Sequence, residues 1–82
     1  MNYYDIFDDV LITAELMEAS DDWDYVGNLM DHLLDIMFVV LNEDESDTAK
    51  SIKGFILAYF TIFKHGHLHE MPMPLFYGRR HT

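Results

Sequence analysis

Proline is missing from the first 71 residues of this 82-residue chain, and through that length apolar side chains return every three or four positions. That repeat is the signature of an α-helix with one buried face, so the chain is restricted to helices packed on helices. Tyr3, Phe7, Val10, Ala14 and Met17 make the first apolar stripe, widened by Tyr4, Ile6 and Leu11, and predict a helix over about Tyr3–Ala19. Asp5, Asp8 and Asp9 suit its positive N-terminal end. Ile12 and Leu16 sit one turn apart on another side, near Asp5 and Asp9; they are either stray surface apolars or a second contact face, and their i, i+4 pairing favours the second.

The run Ser20-Asp21-Asp22 breaks this pattern, and any of the three can cap a following helix by accepting a backbone N–H. That helix is predicted over about Asp22–Asn42. Trp23, Val26, Met30, Leu33, Leu34, Met37 and Leu41, joined by Leu29 and Val40, form its apolar face, while Asp24, Asn28, Asp31 and Asp35 form a polar stripe. From Ile36 to Leu41 the sequence is apolar all round, which predicts burial on several sides. Phe38-Val39-Val40 also suits a short strand, but the helical period continues into it from upstream. The polar run Asn42–Asp47 is a turn, with Ser46 or Asp47 placed to cap a third helix over about Thr48–His65. Its apolar face is rich in aromatics (Phe55, Tyr59, Phe60 and Phe63 beside Ile52, Ile56 and Ile62), with Lys50, Lys53 and Lys64 on the other side. Gly66 is placed to end it.

The expected architecture is all-α, a small three-helix bundle over residues 1–66. Residues 67–82 are expected as an extended tail, because Pro72 and Pro74 exclude a helix through Met71–Leu75. Leu68, Met71, Met73, Leu75, Phe76 and Tyr77 are too apolar for a solvated tail, so it is expected to pack on the bundle or on a second subunit, with Gly78–Thr82 frayed. A chain this short buries only about 60% of its unfolded surface. It has no cysteine, so disulfides, thiolate zinc sites and thiol catalysis are all excluded. Half of its residues are hydrophobic, more than one small core absorbs, and this predicts a homodimer or a partner-bound state. No segment has the 18 consecutive apolar residues needed to span a bilayer, and the N-terminus has no basic stretch of a secretory signal. The expected location is cytoplasmic.

Charge is distributed unevenly. Residues 1–49 contain 14 of the 15 acidic side chains and no Lys or Arg; the other 33 residues hold all five basic side chains and Glu70, a net of +4. Acidic runs are ordinarily a solvated surface, but five cations cannot neutralise fifteen acids, and self-repulsion on that scale destabilises a compact state. The net charge of −10 repels nucleic acid and anionic lipid and favours a basic protein partner. The expected partner-binding residues are Asp5, Asp8, Glu15, Asp24, Asp31 and Asp35, with Tyr4, Trp23 and Tyr25 as aromatic anchors. Carboxylates one helical turn apart are separated by about 6 Å, a coarse imitation of a phosphate track.

Catalytic chemistry finds little to work with. Ser20, Ser46 and Ser51 lack a nucleophile setting, there is no glycine-rich phosphate loop, and repeated Glu-x-x-His pairs are missing. The expectation is a non-enzyme without a cofactor. His65, His67 and His69 alternate beside Glu70 and would share one side of an extended strand, as metal ligands can; Gly66 and the helix end interrupt that geometry, and a solvated turn is the simpler reading. His32, one turn from Asp35, reads as an exposed pair or a partner contact. In size, charge and simplicity the chain is similar to the small acidic helical proteins with which phages and mobile elements disable host nucleic-acid enzymes, such as anti-CRISPR and anti-restriction proteins. This likeness covers overall character alone, so no functional residue follows from it. It implies an inhibitor or adaptor that occupies a basic, nucleic-acid-facing surface of another protein. The competing expectation is a homo-oligomeric structural or assembly-chaperone subunit whose acids serve solubility.

Overall fold

In the computed structural model, which describes residues 2–67, the chain is a three-helix bundle: α1 Tyr3–Ala19, α2 Trp23–Asp35 and α3 Asp47–His67, with no strand among the described residues. A π-helical turn, Ile36–Val40, extends α2. Each N-terminus is closed by a side chain of the expected kind, which satisfies backbone donors that no helix can satisfy itself. Asn2 Oδ1 accepts from the Tyr4 and Asp5 amides at 3.0 and 3.3 Å. Asp22 Oδ1 accepts from those of Asp24 and Tyr25 at 3.1 and 3.3 Å, and Ser46 Oγ from that of Ala49 at 3.1 Å.

The short connections force an up-down-up course, and side-chain contacts fix it. The Tyr3 hydroxyl donates to the Asp44 carboxylate and lies 3.0 Å from Ser46 Oγ. That joins the start of α1 to the α2–α3 turn. At the other end, Tyr59 Oη lies 3.1 Å from the Ala14 carbonyl oxygen and 3.0 Å from Glu18 Oε1. Lys53 closes the C-terminal end of the α2 segment by donating to the Leu41 and Asp44 carbonyls at 3.2 and 3.3 Å, where a cation also opposes the negative end of the helix dipole.

Between the helices lies one core, in which Val10, Met17, Val26, Leu33, Leu41, Ile56 and Phe63 are the most deeply buried side chains. Burying each such side chain contributes about 1.5–3 kcal/mol. The predicted stripes of α1, α2 and α3 supply nearly all of this core, but Thr13 is also buried. Its hydroxyl is satisfied by donating to the Asp9 carbonyl one turn back, at 2.6 Å, which is how a threonine enters an apolar face without an orphaned group.

Two expectations fail. Gly66 does not end α3, which runs on to His67. The His67 ring packs on Phe63 with centroids 4.4 Å apart and against Trp23 at 5.9 Å, and His67 Nε2 lies 3.2 Å from Glu18 Oε2. These contacts outweigh the weak helix preference of glycine. Nor is the segment from Ile36 to Leu41 buried all round. Ile36, Met37 and Leu41 face the core, whereas Phe38, Val39 and Val40 are 62%, 67% and 41% exposed. Three helices supply neighbours on one side of this turn and none on the other. The Leu41 amide donates to the Ile36 carbonyl at 2.9 Å across the widened turn, so the period shifts and Leu41 still reaches the core. The expected tail, apart from His67, lies outside the described residues.

Candidate functional site

The acids selected from the sequence are all on the surface: Asp5, Asp8, Glu15, Asp24, Asp31 and Asp35 are exposed. What groups them is the contact between α1 and α2. His32 Nε2 lies 2.8 Å from Asp9 Oδ2 across the seam of these two helices, not against Asp35 one turn along its own helix. Helical spacing then places the neighbours. Asp5, Ile12 and Leu16 share the edge of α1 that carries Asp9. On α2, Tyr25, Asn28 and Asp35 share the edge that carries His32, and Asp24 and Asp31 form the next row outward. Because α1 and α2 run antiparallel, Leu16 comes level with Tyr25, and Asp5 with the Asp35 end.

The outer α1–α2 face is therefore both acidic and apolar. Ile12, Leu16 and Tyr25 are 56%, 41% and 41% exposed, set among Asp5, Asp9, Asp24, Asp31 and Asp35. Phe38 and Val39 follow Asp35 by three and four positions and extend the apolar surface past its end. Ile12 and Leu16 are at the surface, on the edge of α1 next to α2. Phe38 and Val39 were expected in the core, and only the packing of three helices, not their periodicity, reveals them at the surface.

The remaining selected residues go elsewhere. Tyr4, Asp8 and Glu15 make a row on α1 turned away from α2, toward α3. Trp23 is half-buried, its ring edge-on to Phe63 at 6.3 Å and to His67, so much of its surface serves packing. Tyr25 is the aromatic that stands on the acidic face itself.

Two of the chain's lysines are engaged away from this face. Lys50 Nζ lies 3.5 Å from Glu45 Oε2, and Lys53 holds the α2–α3 turn. The perturbed titrations also belong to the helix joints. The hydrogen bond from Tyr3, aided by those from Ser46, holds the Asp44 carboxyl below the ordinary carboxylate value. Burial raises the Tyr59 phenol well above its ordinary value, and the neighbouring Glu18 carboxylate adds to the effect. Neither group lies on the outer α1–α2 face.

Among the described residues no cluster of three or more His, Asp or Glu side chains is placed to hold a metal ion. His65 and His67 lie on α3, where a separation of two residues turns side chains to nearly opposite sides, so the shared side of an extended strand does not arise for this pair. His69 lies outside the described residues. No helix among them is long and apolar enough to cross a membrane. No family model matches the chain, and neither a curated protein nor a solved structure matches it.

Proposed function

We propose that this chain is a protein-binding inhibitor or adaptor whose outer α1–α2 face docks on a basic, nucleic-acid-facing surface of another protein. The observation that carries this reading is the combination on one face: exposed carboxylates at Asp5, Asp24, Asp31 and Asp35 around exposed Ile12, Leu16 and Tyr25. Charged rims steer encounter and set specificity, while desolvated apolar and aromatic centres supply most of the affinity. A solvated polar face needs no such centre. The function belongs to the type that phages use against host nucleic-acid enzymes, anti-CRISPR and anti-restriction proteins included, acting in the cytoplasm and without catalysis.

Affinity capture from an extract of the native host, with the full chain and with Asp24→Lys, Asp31→Lys and Asp35→Lys combined, tests this. The expected result is retention of a basic nucleic-acid-binding protein by the natural sequence, weakened sharply by added salt, and its loss in the triple variant at unchanged helicity. Equal retention by both chains removes the acidic stripe of α2 from the docking surface.

One observation favours a second reading. Phe38, Val39 and Val40 form an exposed apolar end that suits self-association, as in a homo-oligomeric assembly subunit. Sedimentation separates the two, because an oligomer held by that patch persists on dilution and is insensitive to salt, whereas a monomer in both low and high salt supports the docking reading.

A further inference from the structure

A groove runs along α1 on the side opposite the acidic face, between α1 and α3. Its wide stretch, about 1030 Å³, is lined by Tyr3, Tyr4, Phe7, Ser51, Ile52 and Phe55. Its narrow stretch is lined by Leu11, Glu15, Glu18 and Tyr59, and Phe55 lines both, so the two are continuous. The floor of the wide stretch is aromatic. The Phe7 and Phe55 rings meet edge to face at 5.3 Å, and both remain more than a third exposed.

We propose that this groove takes an extended, arginine-bearing segment of a partner protein, with guanidinium groups laid on the aromatic floor and their charge met by acids of the rim. The charge of the walls argues first for that occupant. No lysine or arginine is among the residues that line either stretch, whereas Glu15 and Glu18 are. Asp8 stands between Tyr4 and Glu15 on the same row of α1, and Asp47 one turn before Ser51 on α3; both are exposed. Glu18 is shared by Tyr59 and His67, so Asp8, Glu15 and Asp47 are the acids turned to an occupant. Lys50 and Lys53 are engaged elsewhere, with Glu45 and with the carbonyls of the α2–α3 turn. A trough edged in this way complements a cation and repels nucleic acid and anionic lipid. Phe7 and Phe55 lie beyond the first turn of their helices, where the positive end of the helix dipole no longer opposes a bound cation.

The chemistry of the floor argues for arginine in particular. The faces of phenylalanine and tyrosine rings are negative and attract a guanidinium group, which is planar and more weakly hydrated than an ammonium. The Tyr3 hydroxyl donates to the Asp44 carboxylate, which leaves the Tyr3 ring richer in electrons. Thr48 and Ser51 both line the wide stretch, and their hydroxyl oxygens are of the kind that accepts from guanidinium N–H groups. The length of the groove selects a chain over a compact molecule, because its lining residues run from Asn2 to Ala19, about 26 Å along α1. The inference does not rest on what the α1–α2 face binds, since Ile12, Leu16, Tyr25, Asp24 and Asp31 lie on the other side of α1 and on α2.

Titration of the isotope-labelled full-length chain with the peptide acetyl-Arg-Ser-Arg-Ser-Arg-amide, followed by NMR, tests this. Versions with lysine or neutral citrulline in place of arginine serve as comparisons. The expected result is a set of shift changes concentrated at Phe7, Ser51, Ile52 and Phe55. Affinity should fall from arginine to lysine, and by about tenfold from arginine to citrulline. Phe7→Leu with Phe55→Leu keeps the floor apolar without its rings, and is expected to weaken the arginine peptide several-fold while the α2 amides stay in place. Asp8→Asn with Glu15→Gln leaves the floor intact and should remove most of the advantage of arginine over citrulline. Equal affinity for the arginine and citrulline peptides overturns the proposal, as do shift changes that avoid the groove. So does undiminished binding to the double leucine variant. Equal binding of the lysine peptide also overturns it, because charge alone then decides.

Discussion

The seam between α1 and α3 and the outer face of α1 and α2 use polar residues in opposite ways. Along the seam, tyrosines reach across between elements: Tyr3 to Asp44 and Ser46, Tyr59 to Ala14 and Glu18. These groups have specific partners. Those partners lower the Asp44 carboxyl from its ordinary value, and burial, aided by the Glu18 carboxylate, raises the Tyr59 phenol. On the outer face, carboxylates stand exposed around apolar side chains that no helix covers. The difference separates what the fold requires from what it merely carries. Seam groups stabilise the bundle, and the outer acids, crowded and mutually repelling, oppose it unless something basic arrives.

The comparison breaks most visibly at Phe63, which is 1% exposed and packs on Trp23, Tyr59 and His67. Phe63→Ala is expected to cost about 3–5 kcal/mol, a large part of the stability of so small a domain, and to abolish the cooperative thermal transition followed by circular dichroism. Retention of a sharp transition near the natural midpoint would mean that α3 is held by something other than this cluster.

Tyr59 sharpens the contrast at intermediate size. Tyr59→Phe removes the hydroxyl and is expected to cost about 0.5–1.5 kcal/mol. Its pKa is raised in the folded state, so its contribution is complete below the ordinary value of 10.0 and disappears as pH rises toward the folded value. Urea midpoints of the natural chain should therefore fall above pH 10, and those of Tyr59→Phe should fall less. Asp44 has the reverse sign. Its pKa is lowered on folding, so its contribution is present above 3.8 and fades as pH drops through the folded value. Tyr3→Phe should flatten the acid limb of the same curve below about pH 4.

On the outer face, combining Asp24→Lys, Asp31→Lys and Asp35→Lys is expected to leave stability unchanged or raise it slightly, because relief of repulsion replaces no native contact. A marked fall in melting temperature would place these acids among the groups that hold the fold. The smallest effect belongs to Gly54, inside α3, where an added methyl meets nothing within 4 Å and no described glycine has a positive φ. Gly54→Ala should stabilise by about 0.5–1 kcal/mol, read as a raised urea midpoint with an unchanged slope.

How much of this was legible in the residues varies along the chain. Helix α1 is uninterrupted by glycine or proline and is followed by the polar run Ser20-Asp21-Asp22, so both its ends could be read. The far end of α3 could not, because its continuation past Gly66 depends on Trp23 and Glu18, remote in sequence. Thr13 hides in the core through a local hydrogen bond that composition does not announce. The acids' exposure followed from their place opposite the apolar stripes. Their division into two faces did not: Asp5 and Asp8 differ by three residues, yet the docking angle of α2 decides which belongs with Asp35. Likewise, Phe38 and Val39 are core-like by type and reach the surface because no element among the described residues covers them.

The claim on which the functional account rests is that the acidic face competes with nucleic acid for a basic surface. Once the captured protein is purified, its complex with labelled nucleic acid can be titrated with this chain while fluorescence anisotropy is followed. The account predicts full displacement of the nucleic acid, weakening as salt is raised and lost with the triple lysine variant. A stable ternary complex, with anisotropy undiminished at saturating chain, would contradict it.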